Sequence, residues 1–237
     1  IRQAFGKVPE LSLGFGGGLG ALLAMATNYG VYLDTATAQR VVNDWRNDNG
    51  WAKVFWGGHG RDGSYGLWGA VCSALENPGG IFSAGRVAYQ YDPKHFKGTL
   101  FCGLPCGRIL TYPSIKWSHR VIKDKKTKQE KEVYDLSYIK GHGRTAMWHG
   151  KIAENVTQAF AASVLRRTLR CLDQDAKFNR MPVVMHTHDE IVVEVDTDYA
   201  EEAKLQLKEL MERNDDYDAG LPLKAEVKSN WAYKGFE

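Results

Sequence analysis

The chain has 237 residues, of which 43% are hydrophobic, so it can bury a substantial core and is not a fully disordered protein. Its formal net charge is only +3, from 31 Lys and Arg against 28 Asp and Glu, so any affinity for nucleic acid must come from local clusters of charge. Four cysteines without paired spacing favour a reduced cytoplasmic setting, and no apolar run approaches the length of a membrane span or a secretory leader.

The first segment predicts a short helix followed by a glycine-rich loop. Pro9 fits a first helical turn, and the glycines after Phe15 end the helix. Val8, Leu11 and Phe15 share a helical stripe. With Lys7 at the start, one face would present a cation, an apolar wall and a ring, which suits the phosphates and base of a nucleotide. The alternative is a helical connection that Leu11 and Phe15 pack against the core.

Helices are predicted up to a break at residues 77–80, and Asp34 or Thr35 begins one of them. From about Arg86 the pattern changes to short strands over residues 87–91, 99–102 and 104–113. A basic hairpin excursion follows, and its lysines can neutralise phosphates or simply be solvated. These lysines are Lys123, Lys125, Lys126, Lys128 and Lys131.

A long helix is predicted over about residues 150–172, with apolar positions on one side and Arg166, Arg167 and Arg170 mostly opposite. Its first turns carry a polar stretch that can face a groove. Amides such as those of Asn155 and Gln158 can donate to acceptors that all four base pairs offer in the minor groove, which tests pair geometry without reading sequence. Plain solvation is the alternative for each of these side chains.

Residues 183–195 predict two apolar strands joined by the charged tripeptide His188-Asp189-Glu190. Carboxylates at a hairpin tip are placed to hold a divalent cation, because magnesium favours one or two carboxylates plus substrate phosphates. A solvated turn is one alternative, and a hydrolytic metal site of His186, His188 and Asp189 is another. A helix from Asp198 to about residue 213 and a final strand over residues 221–227 complete the prediction.

Together and in this order, the motifs resemble the C-terminal part of a family A DNA polymerase, closest to the bacteriophage group. The resemblance implies an α/β (α+β) fold in which residues 1–97 form helical fingers and residues 98–237 form a palm. The palm would have an antiparallel sheet, a basic excursion at residues 113–148 and a catalytic hairpin at residues 183–195. The thumb and exonuclease domains would be absent. The motifs that carry the resemblance are residues 6–18, Trp45-Arg46, residues 104–113, Gly150-Lys151, Glu154-Asn155, Gln158-Ala159, residues 188–195, residues 221–223 and Ala225-Glu226.

The resemblance also assigns roles to single residues. Lys7 matches the lysine that holds the incoming triphosphate, Leu11 faces the nucleotide sugar, and Phe15 lies near the templating base. Arg2 resembles an arginine that contacts phosphates, although it stands five residues before Lys7 and the usual separation is four. Asp189 matches the palm carboxylate that ligates both metal ions, with Glu190 as its catalytic neighbour. The residues expected to contact DNA are Arg108, Asn155, Gln158 and His188.

The expected activity is transfer of a nucleotide from a dNTP to a primer 3′ hydroxyl by two Mg²⁺ ions, on a primer–template. The chain begins with Ile1 inside an organised segment, so we expect a piece of a longer protein. An upstream segment or subunit would then supply the thumb and the first catalytic aspartate. Within this chain, Asp135 could take the place of that first catalytic aspartate, but an ordinary loop aspartate is the simpler interpretation. The alternative function is a non-catalytic remnant that binds primer–template. Either would act in the cytoplasm, that of the host if the protein is viral, away from membranes.

Overall fold

The computed structural model describes residues 3–57, 66–123 and 129–233 of the chain. Two compact units are present, residues 1–157 and 158–237, and the division falls inside one long helix. The predicted phosphate contact Arg2 lies outside the described residues. The same is true of three lysines of the basic excursion, Lys125, Lys126 and Lys128.

Helices form the first half of unit 1, as the sequence predicts. Asp34 caps the third of them by accepting a hydrogen bond from the Thr37 backbone N–H at 3.0 Å, and its hydrogen bonds to Thr37 lower the pKa of this carboxyl. Trp45 and Trp56 contribute buried aromatic surface to the helical core. The helices are α1 Val8–Leu13, which follows a π-helical turn Gln3–Lys7, α2 Leu19–Asn28, α3 Thr35–Asp48, α4 Gly50–Gly57 and α5 Leu67–Glu76.

A four-stranded antiparallel sheet follows directly after the predicted break at residues 77–80. Its strands are β1 Ile81–Ala84, β2 Val87–Asp92, β3 Thr99–Gly103 and β4 Ile109–Pro113, in the order β1-β2-β3-β4. The strand region therefore begins earlier than the predicted Arg86. Helix α5 packs against β1 and β2. The interior is fully buried at Tyr89, Leu100 and Cys102, and this burial raises the pKa of the Cys102 thiol to about 12.

The basic excursion is a three-stranded antiparallel sheet with the order β5-β6-β7. The strands are β5 Lys116–Lys123, β6 Glu130–Lys140 and β7 Gly143–Met147. Leu136 and Met147 face each other across β6 and β7 and are buried, which anchors this sheet. Asp135, expected in a loop, lies in β6 opposite Ser118. The excursion has a third strand in addition to the predicted hairpin, and the prediction of a loop around Asp135 is wrong.

Helix α6 His149–Gln174 spans the division between the units, and its residues 158–174 belong to unit 2. Unit 2 also contains the hairpin β8 Val183–Thr187 and β9 Glu190–Val193, and helix α7 Ala200–Glu212. Their shared core includes Leu172, Met181, Ile191, Tyr199 and Leu207. No helix in the described ranges is both long and apolar enough to cross a membrane.

The predicted final strand over residues 221–227 is not formed, because no ladder partner pairs with this segment in the described part of the chain. Exposure along it still alternates between exposed and half-buried residues. One backbone N–H, that of Ala225, is satisfied by the Glu212 carboxylate at 2.9 Å. An alternating pattern therefore marks an extended segment here, and a sheet needs a neighbour that the pattern does not reveal.

Arg167 also departs from the prediction, which placed it opposite the apolar side of its helix. Its side chain is 7% exposed, and its Nη1 lies 2.6 Å from Oδ2 of the fully buried Asp218. Its Nη2 donates to the carbonyl of Arg213. Helical periodicity could not anticipate this, because the counter-charge comes from a residue 51 positions later. The pair ties the loop after α7 to α6.

Replacing Asp218 by Ala should lower the free energy of unfolding by about 3–5 kcal/mol, because the Arg167 guanidinium would stay buried without a counter-charge. Urea unfolding followed by circular dichroism measures this loss. Asp196→Ala is the matched control, since Asp196 and Arg180 form an exposed pair at 3.4 Å, and its removal should cost about 0–1 kcal/mol. Equal effects of the two substitutions would contradict the burial argument.

Candidate functional site

The acidic hairpin has a two-residue turn. Thr187 pairs with Glu190 across β8 and β9, so the turn consists of His188 and Asp189, and Glu190 already belongs to β9. The two predicted strands are confirmed. The second strand ends at Val193, two residues before the predicted end. Asp189 is therefore presented at the tip, and Glu190 is fixed by the strand.

His188 adopts an unusual backbone conformation at this tip. Its φ is 51°, in the left-handed region that glycine adopts freely. A residue with a Cβ pays roughly 1–2 kcal/mol to be there. Strain of this kind concentrates at functional sites, where the surrounding structure holds it. The hairpin therefore keeps a histidine where turn stability alone would favour glycine.

The two neighbouring carboxylates of the hairpin have different surroundings. Oε2 of Glu190 accepts a hydrogen bond from the Tyr233 hydroxyl at 2.9 Å, and this bond raises the pKa of the Tyr233 phenol. Asp189 is exposed and makes no hydrogen bond or ion pair within residues 3–57, 66–123 and 129–233. Its oxygens are thus open to a cation or to solvent, whereas one Glu190 oxygen already has a partner.

The described residues of the hairpin do not form a complete metal site by themselves. Within the described ranges, no three His, Cys, Asp or Glu side chains are grouped so that they could hold an ion. The alternative of a hydrolytic site built from His186, His188 and Asp189 is therefore not supported. Asp189 would need further oxygen ligands from elsewhere to bind a divalent cation.

In unit 1, Lys7, the residue just before α1, and Leu11, within α1, are both exposed to solvent. Leu11 is 44% exposed, so its side chain is not packed in the core formed by the described residues. The Lys7 ammonium lies 5.3 Å from the centre of the Tyr29 ring, an arrangement that attracts the cation to the ring face. Lys7 and Leu11 are four residues apart, one helical turn, so a cation and an apolar side chain are both accessible at the start of this helix.

The predicted stripe of Val8, Leu11 and Phe15 is wrong in two respects. Val8 is fully buried while Leu11 is exposed, and α1 ends at Leu13, so Phe15 is half-buried in the following turn. The buried side of α1 runs instead through Ser12, whose hydroxyl donates to the Val8 carbonyl at 2.8 Å. A serine whose hydroxyl is hydrogen-bonded within its own helix can be buried, and a pattern of hydrophobic residues does not predict this.

The turn that contains Phe15 packs tightly against the start of α6. A Cβ added to Gly150 would lie 1.9 Å from the carbonyl oxygen of Phe15, so only glycine fits there. Gly16 has a φ of +79°, and a Cβ on it would approach Nε2 of His149 at 3.0 Å. These two glycines let the turn after α1 lie directly on the start of α6.

Sequence reasoning missed a cleft next to this contact. It has a volume of about 310 Å³, is open on one side, and is lined by Gly16, Arg46, Lys53, Trp56, Gly57 and His149. Trp56 stacks on Trp45 with ring centres 5.9 Å apart and planes 6° apart. The sequence marks Trp45-Arg46 as part of the resemblance, but the other lining residues are spread over three further segments of the chain, so no single motif predicts the cleft.

The surroundings of His149, which lines this cleft, favour the neutral form of its imidazole. Partial burial lowers the pKa of its imidazole, and the positive charge of Arg46 lowers it further. The cations of the cleft at neutral pH are therefore Arg46 and Lys53, while His149 contributes an uncharged ring.

The predicted DNA contacts are distributed over both units. In unit 1, Arg108 lies in the turn between β3 and β4, and the Asn155 amide donates to the hydroxyl of the buried Tyr112 at 3.3 Å. In unit 2, Gln158 and His188 are exposed. The amide of Asn155 is thus oriented by a residue of the sheet, which the sequence did not reveal.

The chain as a whole is similar in sequence to a known protein. Over 230 residues, 95% of this chain, the sequence is 32% identical to a DNA polymerase of Bacillus phage SP02. The chain spans 31% of the length of that relative. No family model matches the chain. The resemblance to a phage DNA polymerase is confirmed.

Replacing His149 by Gln should flatten the pH dependence of stability on the acid side of neutrality. The pKa of His149 in the folded protein lies below its ordinary value of 6.5, so the unfolded chain takes up the proton first. Wild-type stability is therefore fully present above pH 6.5 and falls as the pH drops toward the lowered value.

Urea midpoints of the wild type and of His149→Gln, compared from pH 7.5 to pH 5, test this expectation. The midpoint of the wild type should decrease more than that of the variant over this range. Parallel curves would show that folding does not perturb the ionisation of His149.

Proposed function

We propose that the chain is the fingers and palm of a family A, DNA-directed DNA polymerase, and that it takes part in template-dependent nucleotidyl transfer. The observation that carries this proposal is the 32% identity with a phage DNA polymerase across 95% of the chain. The exposed Asp189 on a strained hairpin turn supports it, because this chemistry needs an accessible carboxylate. Fingers would comprise residues 1–97 and palm residues 98–237.

In this proposal Asp189 is a ligand of the catalytic metal ions. A pair of Mg²⁺ ions, when bound, would activate the primer 3′ hydroxyl and stabilise the negative charge that develops as pyrophosphate leaves. Asp189 suits this role because its oxygens are exposed and make no contact among the described residues. Glu190, fixed in β9 and bonded to Tyr233, would add negative potential at the site and hold the hairpin in place.

The remaining residues would bind and orient the substrates. Lys7 would pair with the triphosphate of the incoming dNTP, Leu11 would contact its sugar, and Phe15 would lie near the templating base, with Arg2 as a further phosphate contact. Exposed Lys7 and Leu11 at the start of α1 support this assignment. The residues proposed to contact primer–template DNA are Arg108, Asn155, Gln158 and His188.

We infer that the active enzyme needs an upstream segment or subunit for the thumb and the first catalytic aspartate. The support is that one accessible carboxylate cannot clamp both the attacking and the leaving oxygen, and that the relative is about three times as long as the matched region. Asp135 is not adopted as this aspartate, because it lies within strand β6 and pairs with Ser118 in the sheet of the basic excursion. The site of action is the cytoplasm, that of the host cell if the protein is viral.

Replacing Asp189 by Asn should reduce primer extension by the complex with the upstream segment at least about a thousandfold, equivalent to ~4 kcal/mol. A metal ligand is lost while the phosphate contacts remain, so the Kd for primer–template should change by less than about twofold. Primer extension with Mg²⁺ and four dNTPs, together with binding by fluorescence anisotropy, measures both quantities.

Asp173→Asn is the matched control, since Asp173 is an exposed aspartate of α6 in the same unit. Full activity of Asp189→Asn would show that the site lies elsewhere. A wild-type complex that binds duplex in a salt-dependent manner and extends no primer would favour the non-catalytic primer–template-binding remnant.

Replacing Lys7 by Ala should raise the KM for dNTP about tenfold with a smaller change in kcat, because the ammonium contributes charge to substrate binding. The affinity for primer–template should stay the same. Steady-state kinetics with varied dNTP measures the effect, and Lys94→Ala, at another exposed lysine of unit 1, is the control. An unchanged KM would remove Lys7 from the triphosphate site.

A further inference from the structure

The Asn155 side chain has one hydrogen-bond partner among the described residues, the hydroxyl of Tyr112. The amide nitrogen of Asn155 donates to this hydroxyl at 3.3 Å. An amide carries two N–H groups and one carbonyl oxygen, so the second N–H and the oxygen remain available. Because Asn155 is only half-buried, part of the residue stays accessible to a ligand.

Tyr112 is firmly held on the sheet side of this hydrogen bond. It lies in β4 opposite Leu100 of β3, and it is 3% exposed. Its ring meets that of Tyr138 edge-on, with ring centres 5.0 Å apart and planes 86° apart. Tyr138 belongs to β6, so the sheet of the basic excursion supports the Tyr112 ring. The hydroxyl therefore has a defined position before any ligand arrives.

The helix side of the hydrogen bond is held as well. Gly150 contacts the Phe15 carbonyl so closely that no side chain fits between them, and Asn155 follows five residues later in α6. Ile152 and Val156, which flank this part of the helix, are buried. Both partners are thus anchored by packing, and their contact does not depend on a ligand.

The amide of an asparagine without a fixed partner has no single orientation. Its χ2 torsion has a broad, roughly two-fold preference, so rotation can exchange the N–H groups and the carbonyl oxygen. Every base pair presents acceptors in the minor groove, which an N–H group can meet and a carbonyl oxygen cannot. A partner that selects one orientation of the Asn155 amide therefore decides whether a donor is available to DNA.

The Tyr112 hydroxyl can perform this selection without adding charge. Burial raises the pKa of its phenol well above the usual value, and the hydrogen bond from Asn155 offsets only part of this effect. The group is therefore a neutral hydroxyl at neutral pH. It accepts the amide N–H and places no negative charge near the phosphates of a bound DNA.

We propose that Tyr112 is a positioning residue for DNA recognition, whose hydroxyl holds the Asn155 amide so that its second N–H faces the minor groove of primer–template. This inference rests on the proposed function, because it takes Asn155 as a DNA contact. Tyr112 is buried, so it acts through Asn155 and not by touching DNA. The basic excursion contributes indirectly, through the contact of Tyr138 with the Tyr112 ring.

A double-mutant cycle on primer–template affinity tests this proposal. The full chain is compared as wild type, Tyr112→Phe, Asn155→Ala and the double variant, with fluorescence anisotropy of labelled primer–template as the measurement. The Kd should rise about threefold for Tyr112→Phe and about fivefold for Asn155→Ala, the range expected for one weakened or lost hydrogen bond. The double variant should match Asn155→Ala, because without the amide the hydroxyl has nothing to orient.

Tyr89→Phe is the matched control, since Tyr89 is a fully buried tyrosine of the same sheet whose hydroxyl makes no hydrogen bond to Asn155. It should bind as the wild type does, and circular dichroism checks the fold of every variant. An unchanged Kd for either single variant at Tyr112 or Asn155 would overturn the proposal. Penalties that multiply to about fifteenfold in the double variant would also overturn it, because Tyr112 would then act independently of Asn155.

Extension of mismatched primers separates recognition from a general loss of structure. In the complex with the upstream segment, Tyr112→Phe should lower the preference for matched over mismatched primer ends about threefold, because a misoriented amide no longer tests pair geometry. An equal decrease in both extension rates would contradict a positioning role. The affinity cycle needs no catalysis, so a wild-type complex that extends no primer would refute the polymerase reaction and leave the cycle to decide the role of Tyr112.

Discussion

The contact between Gly150 and the Phe15 carbonyl is the constraint on which the rest of unit 1 depends. No side chain fits between them, since a Cβ would come within 1.9 Å of the oxygen. This close approach brings the start of α6 onto the turn after α1, which places His149 at the cleft. One turn and a half further along α6, Asn155 then reaches the hydroxyl of Tyr112 in the sheet. A single glycine thereby connects the helical layer, the cleft and the four-stranded sheet.

In unit 2, the charged tip of the β8–β9 hairpin must be held in a defined position. The hairpin has two short strands and a strained histidine in its turn, so its geometry must be supported from outside the turn. Ile191 anchors β9 in the core, and Tyr233 holds the Glu190 carboxylate. The Arg167–Asp218 ion pair fixes the loop after α7 to helix α6. Asp189 can remain exposed because its neighbours, and not its own contacts, fix the hairpin.

Much of this could be predicted from local pattern, because caps, breaks and alternation act within a few residues. Asp34, the break at residues 77–80 and the hairpin around Asp189 are of this kind. The incorrect predictions concern buried polar residues and residues whose partners are distant in the sequence. Ser12 is buried because it bonds to its own helix, and Arg167 because Asp218 meets it 51 residues later. The segment at residues 221–227 alternates like a strand but lacks a partner. The cleft was missed because its lining comes from four segments, none of which carries a pattern alone.

The low net charge of the chain makes the placement of individual cations decisive. With +3 overall, long-range attraction to a polyanion is weak, so affinity must come from a few cations that are already oriented. Lys7 lies against the Tyr29 ring, and Arg46 is held by the Gly17 carbonyl, so each loses less conformational freedom on meeting a phosphate than a free side chain would. A neutral His149 beside Arg46 is also compatible with anion binding by the Arg46 guanidinium. A charged imidazole there would repel the guanidinium, whereas a neutral ring leaves the fork free to face an anion.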